Sequence, residues 1–206
     1  VVGGALGDDH SMKIGACSAD TDLIRIETPE EAARWQDAFS IAYREVFQGE
    51  PYFEEFSLEK AAGVFRMLVS IPDHITLLVV RDDQVVAFGV AVPLSSMKTV
   101  APRLQGLVPI RRTYYLAELG VRPGWRGHGF GKELVRQRIR LMDAARYSHV
   151  VLRVAEGQSR SFEMYESLDF VDMGVTMDVV RPRTDGSMKT DRRVFLCRLL
   201  SQVDVD

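Results

Sequence analysis

Apolar and polar positions change their period several times along the chain, and each change predicts an element. Leu23 to Ile26 alternates apolar with polar, which predicts a short strand. The period then becomes helical, with Ala32, Trp35, Phe39, Ala42 and Val46 returning at three- and four-residue steps. Thr28-Pro29-Glu30-Glu31 supplies a cap, a first-turn proline and two acids in front of that stripe, so a helix is expected to about Phe47. Gly49-Glu50-Pro51 breaks it. Ser57 opens a second helix carrying Ala61, Val64, Phe65, Leu68 and Val69. Ile75 to Arg81 and Val85 to Val92 are β-branched runs around Asp82-Asp83-Gln84, the pattern of a hairpin. Residues 94–112, with Pro102 and Pro109, read as a long loop with one helical turn at most, and such a loop is expected to border a substrate mouth.

The second half of the chain is organised around Tyr114 to Ala145. An apolar run, Tyr114 to Val121, predicts a strand; Arg122-Pro123-Gly124-Trp125 turns the chain; Leu134, Ile139, Leu141 and Met142 then predict a helix with Lys132, Arg136, Arg138 and Arg140 between them. His149 to Ala155 follows as a strand, Ser159 caps a short helix through Leu168, Val171 to Val180 is a strand, and Arg193 to Leu200 closes the chain as the last one. The order β-α-α-β-β-β-α-β-α-β-β mixes hairpins with crossovers and implies one α/β domain with a mixed sheet. No internal repeat recurs at a fixed period.

Composition adds bounds. The 206 residues suffice for one domain with a substantial core, and 46% hydrophobic with 27% charged residues is ordinary for a soluble protein. A net charge of −3 argues against non-specific nucleic-acid binding. Cys17 and Cys197 are too few for a disulfide framework, which points to a reduced, cytoplasmic setting. No apolar run is long enough to span a membrane. His10, His74 and His149 lack the spacing of metal ligands, so no metal is expected. The first residues carry little pattern; the expected division is an extension over 1–12 and one domain over 20–202.

Between the central strand and its helix lies Arg126-Gly127-His128-Gly129-Phe130-Gly131-Lys132. Gly127, Gly129 and Gly131 let the backbone take positive φ angles and turn successive N–H groups into one concavity. Because the loop opens a helix, its unpaired amides and the positive end of the dipole suit a phosphate, and Arg126 and Lys132 add charge; the competing reading is a plain connecting turn. The familiar phosphate loops do not match: Glu133 follows Gly131-Lys132 where a Walker loop needs Ser or Thr, and Gly-x-Gly-x-Gly is not the dinucleotide spacing.

Arg-x-x-Gly-x-Gly is met by Arg126, Gly129 and Gly131, after a strand reading Glu-Leu-Gly-Val. It resembles the acetyl-CoA pyrophosphate loop of the GNAT N-acetyltransferase superfamily. A second match lies in Gln158 to Phe170, where Met164-Tyr165-Glu166-Ser167-Leu168-Asp169-Phe170 resembles the family's Leu-Tyr-Glu-x-Leu-Gly-Phe wording. The resemblance implies a single GNAT-like domain, a mixed and mostly antiparallel twisted sheet flanked by helices. It also implies acetyl-CoA as acyl donor and the amine of a small molecule or peptide as acceptor; a homodimer is compatible with it. The alternative from another class is a non-catalytic acyl-CoA-binding sensor. Two positions depart from the pattern. Gln158 stands where Asn is usual, so its cofactor contact is uncertain, and Asp169 replaces Gly, where Asp is among the better residues if the backbone needs positive φ.

Acyl transfer from a thioester to an amine needs a base, donors for the developing oxyanion and a proton source for the thiolate. Glu118, in an otherwise apolar strand, is the candidate base, because apolar surroundings raise a carboxyl pKa toward a useful value; the competing role is a structural carboxylate paired with Arg122 or Arg153. Strand alternation sets Glu118 on one face with Leu116 and Gly120. The resemblance makes the backbone of Leu119, Gly120 and Val121 the partner of the cofactor arm, unless that strand is fully paired, and it adds Gly127, His128, Phe130 and Lys132 to the pyrophosphate loop. It makes Tyr165 the acid, against a role as a buried core tyrosine. Glu50, Glu54 and Glu55 beside Tyr52, Phe53 and Phe56 are the candidate wall for a cationic amine, against a solvated loop covering the core.

Overall fold

The computed structural model describes residues 12–18, 20–157 and 160–201. Met12–Ser18 (β1) and Thr21–Ile26 (β2) pair antiparallel at one edge of the sheet. Only β2 is predicted from the pattern. β1 pairs with β2 through two register shifts. The expected extension lies outside the described residues up to Ser11.

Helices start where their caps stand. In Pro29–Gln48 (α1), Thr28 Oγ1 accepts the Glu31 N–H at 3.2 Å and the Glu31 carboxylate accepts the Thr28 N–H at 3.1 Å, so two otherwise unpaired amides are satisfied reciprocally. The predicted stripe of Ala32, Trp35, Phe39, Ala42 and Val46 is buried, joined by Tyr43. Ser57 caps Leu58–Val69 (α2) through the Lys60 N–H at 3.1 Å. Both helices lie on one face of the sheet, over Leu78, Val80 and Phe88.

Ile75–Arg81 (β3) and Gln84–Pro93 (β4) form the predicted hairpin. Asp82 and Asp83 take φ angles of 49° and 57°, the left-handed pair of a two-residue turn whose twist matches that of the strands. Residues 94–112 hold three short 3₁₀ turns and bury Leu94, Val100 and Leu104 against Val92 and Tyr115. That loop is therefore part of the core, and none of its residues lines the central cavity described below, contrary to the expectation from its length.

Thr113–Val121 (β5) leads through the glycine loop into Phe130–Arg140 (α3), then His149–Ala155 (β6), Arg160–Glu166 (α4), Val171–Pro182 (β7) and Met188–Leu199 (β8). α3 ends earlier than its apolar pattern, which continues into a turn that buries Met142. It covers the opposite face of the sheet, on Leu77, Val79, Ala87 and Ala91. Helices on both sides explain why β3 and β4 read as near-continuous apolar runs. The strand order is β1-β2-β3-β4-β5-β6-β8-β7, antiparallel throughout except between β5 and β6. This is the mixed α/β sheet that the element order implies, mostly antiparallel as the resemblance implies. Asp169 takes φ 63°, so the position occupied by Gly in the family pattern needs the left-handed region here too.

Candidate active site

β5 and β6 pair only from Thr113–Tyr115 to His149–Val151. Beyond that point they diverge, while β5 stays registered with β4 as far as Val121. The register jumps between Val90↔Glu118 and Ala91↔Leu116, which leaves Ala117 as the extra residue of a bulge. The Arg122 N–H bonds to the Val86 carbonyl at 3.0 Å, so by alternation Gly120 also turns its N–H and C=O toward β4. The backbone groups of Leu119 and Val121 face the gap, where Val121 O accepts from Arg126 Nε at 3.3 Å.

The bulge reverses part of the expected alternation. Leu116 packs with α3, whereas Glu118 faces Tyr43 of α1, and the two therefore lie on opposite faces. Glu118 and Gly120 do share a face. Gly120 is required there by a neighbour: a Cβ at this position would lie 2.3 Å from the Phe88 ring, which is itself fully buried. Gly120→Ala is accordingly expected to cost about 1–3 kcal/mol in stability, read as a lowered Tm, because the ring has no room to withdraw.

Glu118 lines a cavity of about 180 Å³ at the divergence of the strands, together with Tyr43, Tyr52, Leu119, Arg153 and Tyr165. Burial raises its pKa to about 7, against the opposing fields of Arg153 and Arg181 and a hydrogen bond from Tyr43. The alternative pairing with Arg122 is absent: Arg122 Nε binds Glu45 at 2.7 Å. Arg153 influences Glu118 through its field, but among the described residues it has no carboxylate within 4.0 Å. Tyr165 lies in the same cavity with its ring edge-on to Phe170 at 5.6 Å, and burial pushes its hydroxyl up to about 12. The two residues chosen from the sequence, 47 positions apart by numbering, thus meet at one opening.

The helical pattern gives Arg138 no mark as a site residue. It is fully buried, donating from Nη1 to the carbonyls of Val90 and Glu118 at 3.0 Å each and from Nε to Leu134 O at 3.0 Å. It thereby fastens α3 to the bulge. Gly89 makes the space, since a Cβ there would stand 2.9 Å from Arg138 Nε. A basic residue amid other basic residues gives no sequence signal of such burial.

At the other end of the gap, Gly127 and Gly129 both take φ 83°, as a loop of inward-turned amides requires. Gly131 does not need positive φ; it sits in α3, where a Cβ would make ordinary contact with Met164. Among the described residues no backbone carbonyl takes the N–H groups of Gly127 to Lys132, and the first helical bond is Glu133 N–H to Gly129 O at 3.0 Å. A diphosphate suits this row of donors at a helix start. The flanking cations are engaged elsewhere: Arg126 Nη1 donates to Glu50 O at 2.9 Å and Lys132 Nζ to Ser167 Oγ at 2.9 Å. His128 Nδ1 is 3.2 Å from Trp125 O and 3.1 Å from Arg126 O, and its ring is stacked over Phe130. Gln158 and Ser159 lie outside the described residues.

The acidic segment divides. Glu50 and Glu55 are exposed, while Glu54 is buried between Arg181 Nε and Arg193 Nη2, at 3.5 Å from each. The β7–β8 hairpin brings those arginines, bonding through Glu55 N–H to Pro182 O at 2.9 Å and Thr184 N–H to Phe53 O at 2.9 Å. Sequence reasoning names Arg153 only as a structural partner for Glu118 and misses Arg181 and Arg193, because strands far in the chain from the acidic segment supply them.

The Acetyltransferase (GNAT) family model matches residues 32–170. The chain belongs to that family. No curated protein matches it. Among solved structures, it is similar to an N-acetyltransferase from Staphylococcus aureus Mu50, with 14% identity, a TM-score of 0.61, and 87% of this chain and 99% of that one covered. A ribosomal-protein-alanine N-acetyltransferase from Brucella melitensis gives 17% identity and a TM-score of 0.61 over 85% of this chain and 99% of that one. The yncA structure from Salmonella typhimurium, solved with its cofactor acetyl-CoA, gives 13% and 0.60 over 89% and 95%. At these identities the likeness is one of fold.

Proposed function

We propose that this GNAT-family protein is an acetyl-CoA-dependent N-acetyltransferase that acts by direct attack of a bound primary amine. The observation that carries the reading is that Glu118 and Tyr165 line one cavity at the place where β5 leaves β6, with the row of amides from Gly127 to Lys132 at the other end of the same gap. The amides of Gly127 to Lys132 hold the pyrophosphate, and the open backbone groups of Leu119 and Val121 hold the pantetheine arm as an added strand. Acetyl-CoA supplies the activated acetyl group. Gly120 contributes by letting Phe88 pack beneath the arm, and Arg126 by tying the loop to the segment before the cavity.

Glu118, with a pKa of about 7, takes the proton of the acceptor ammonium at neutral pH. The neutral amine nitrogen then forms its bond to the acetyl carbonyl carbon and gives up a second proton to solvent, the carbon–sulfur bond breaks with its electron pair going to sulfur, and the amide and the thiolate leave. Tyr165 stays neutral across the working range. Its pKa lies above the ordinary thiol value of about 8.5, so it donates a hydrogen bond to the departing sulfur, and solvent completes the protonation. Tyr165→Phe is expected to lower kcat about tenfold with little change in the KM for acetyl-CoA, as loss of one hydrogen bond made in the transition state requires.

Among the described residues no helix is long and apolar enough to cross a membrane. A cytoplasmic setting, where acetyl-CoA is made available, accords with the proposed reaction. Thermal shift with acetyl-CoA, CoA, ATP and NAD at equal concentration tests the donor, because a ligand that binds only the folded protein raises its Tm. Stabilisation by acetyl-CoA and CoA alone is expected. A larger response to ATP or NAD would reassign the glycine loop to another phosphate ligand.

A further inference from the structure

We propose that the acceptor is an amine bearing a carboxylate, as an amino acid does, and that Arg153 holds this carboxylate while the amine stands at Glu118. The inference rests on the acetyltransferase reading and names the acceptor class of that same site.

The charged residues lining the cavity are Arg153, Arg181 and Arg193 against Glu54 and Glu118. Glu54 is already held between Arg181 and Arg193, and Arg193 Nη2 also lies 3.6 Å from Asp191. Behind them the buried Arg183 binds Asp191 and the Tyr52 carbonyl. Every carboxylate on this wall apart from Glu118 is therefore spent on a guanidinium other than Arg153. Among the described residues Arg153 is left with Met177 Sδ at 3.3 Å, a weak acceptor for a group that carries five donors. A half-buried guanidinium in that state is matched by a planar carboxylate, which it can bind with two parallel hydrogen bonds.

Position supports the same conclusion. Arg153 pairs in register with Phe195 on β8 and shares the α2-side face of the sheet with Tyr115 and Ala117, not the α3 side that carries the glycine loop. It is the charge acting most strongly on Glu118. An amine beside Glu118 with its anionic group a few bonds away spans the two. Of the three acids that suggest a cationic acceptor, Glu50 and Glu55 are exposed and do not line the cavity, and Glu54, which does, is held between Arg181 and Arg193, so a second cation on the acceptor would meet the guanidinium of Arg153. At about 180 Å³ the cavity is also smaller than the roughly 300–1,000 Å³ of pockets for drug-sized ligands, which fits a small acceptor.

The test measures thiol release from acetyl-CoA with the common L-amino acids, their α-carboxamides, and the polyamines putrescine and spermidine. At least one free amino acid is expected to be acetylated about 10- to 100-fold more efficiently, in kcat/KM, than its carboxamide, the range for a charge-assisted hydrogen bond. Arg153→Gln should remove that preference by raising the amino-acid KM and leaving the carboxamide KM in place, with the Tm increase by CoA little changed, and Arg153→Lys should restore part of it. Carboxamides or polyamines used as well as or better than every amino acid would overturn the inference and leave the acetyltransferase reading standing. No thiol release with any of these amines would instead overturn that reading, and this inference with it.

Discussion

Glu118→Gln is expected to lower kcat by about 10²- to 10⁴-fold, the usual contribution of a positioned general base, while CoA still raises the Tm as in the unaltered protein. The isosteric amide keeps an acceptor for Tyr43, so the loss reports the missing proton acceptor and not a collapsed cavity. In the unaltered protein the rate should climb with pH and level off above about 7, because only the ionised carboxylate accepts a proton. That ascending limb should vanish in the variant.

The same group sets a pH dependence of stability with the opposite direction. Burial raises the folded-state pKa from 4.5 to about 7, so between these values the folded protein binds more protons than the unfolded chain, and stability falls as pH rises through the window. Glu118→Gln removes this slope. Above pH 7 the variant should be no less stable than the unaltered protein, measured by urea unfolding at pH 5 and pH 8. A structural carboxylate, stabilised by an ion pair, would give the reverse: a lowered pKa and a variant that loses stability at pH 8.

Arg138→Ala should carry the largest stability cost of any single change at the site, about 3–5 kcal/mol. It opens a cavity at a fully buried position and removes the donor shared by the Val90 and Glu118 carbonyls. At about 2–4 °C per kcal/mol for a chain of this size, the Tm change is large. Two effects oppose this cost: burial lowers the Arg138 pKa to about 10, and Nη2 is buried without a hydrogen-bond partner. Neither returns the two carbonyls to a donor, so the loss dominates. Gly89 supplies an internal check. Gly89→Ala alone drives a Cβ to within 2.9 Å of the guanidinium and should destabilise, whereas in the Arg138→Ala background the same methyl has space and should be close to neutral. Additive effects would show that the two positions do not share the space assigned to them.

These residues also mark where sequence reading reaches its limit. The capping box at Thr28, the Asp82-Asp83 turn and the stripe on α1 are local devices, each decided by residues within a turn or two of one another, and all three stand as their patterns predict. The glycine loop is legible for the same reason: positive φ at Gly127 and Gly129 is a demand of the backbone where they sit. The bulge at Ala117 is not, because no proline or glycine marks it and the donor that holds it comes from Arg138, on another element. The charge of the cavity is hidden in a similar way. Glu54 reads as one acid in an acidic stretch, and only the docking of the β7–β8 hairpin sets Arg181 and Arg193 against it. Local chemistry thus reveals the face proposed for the donor, while the face proposed for the acceptor is assembled from α1, β6, β7 and β8.

The most direct test of the central claim is amine-dependent thiol release from acetyl-CoA by the full chain, followed from pH 5.5 to 9 over the amine panel above. Release is expected to require an amine, to saturate with it, and to rise with an apparent pKa of about 7 that disappears in Glu118→Gln. Protein that is stabilised by CoA yet releases no thiol with any amine at any pH would contradict it, and would make the chain an acyl-CoA-binding protein that does not transfer the acetyl group.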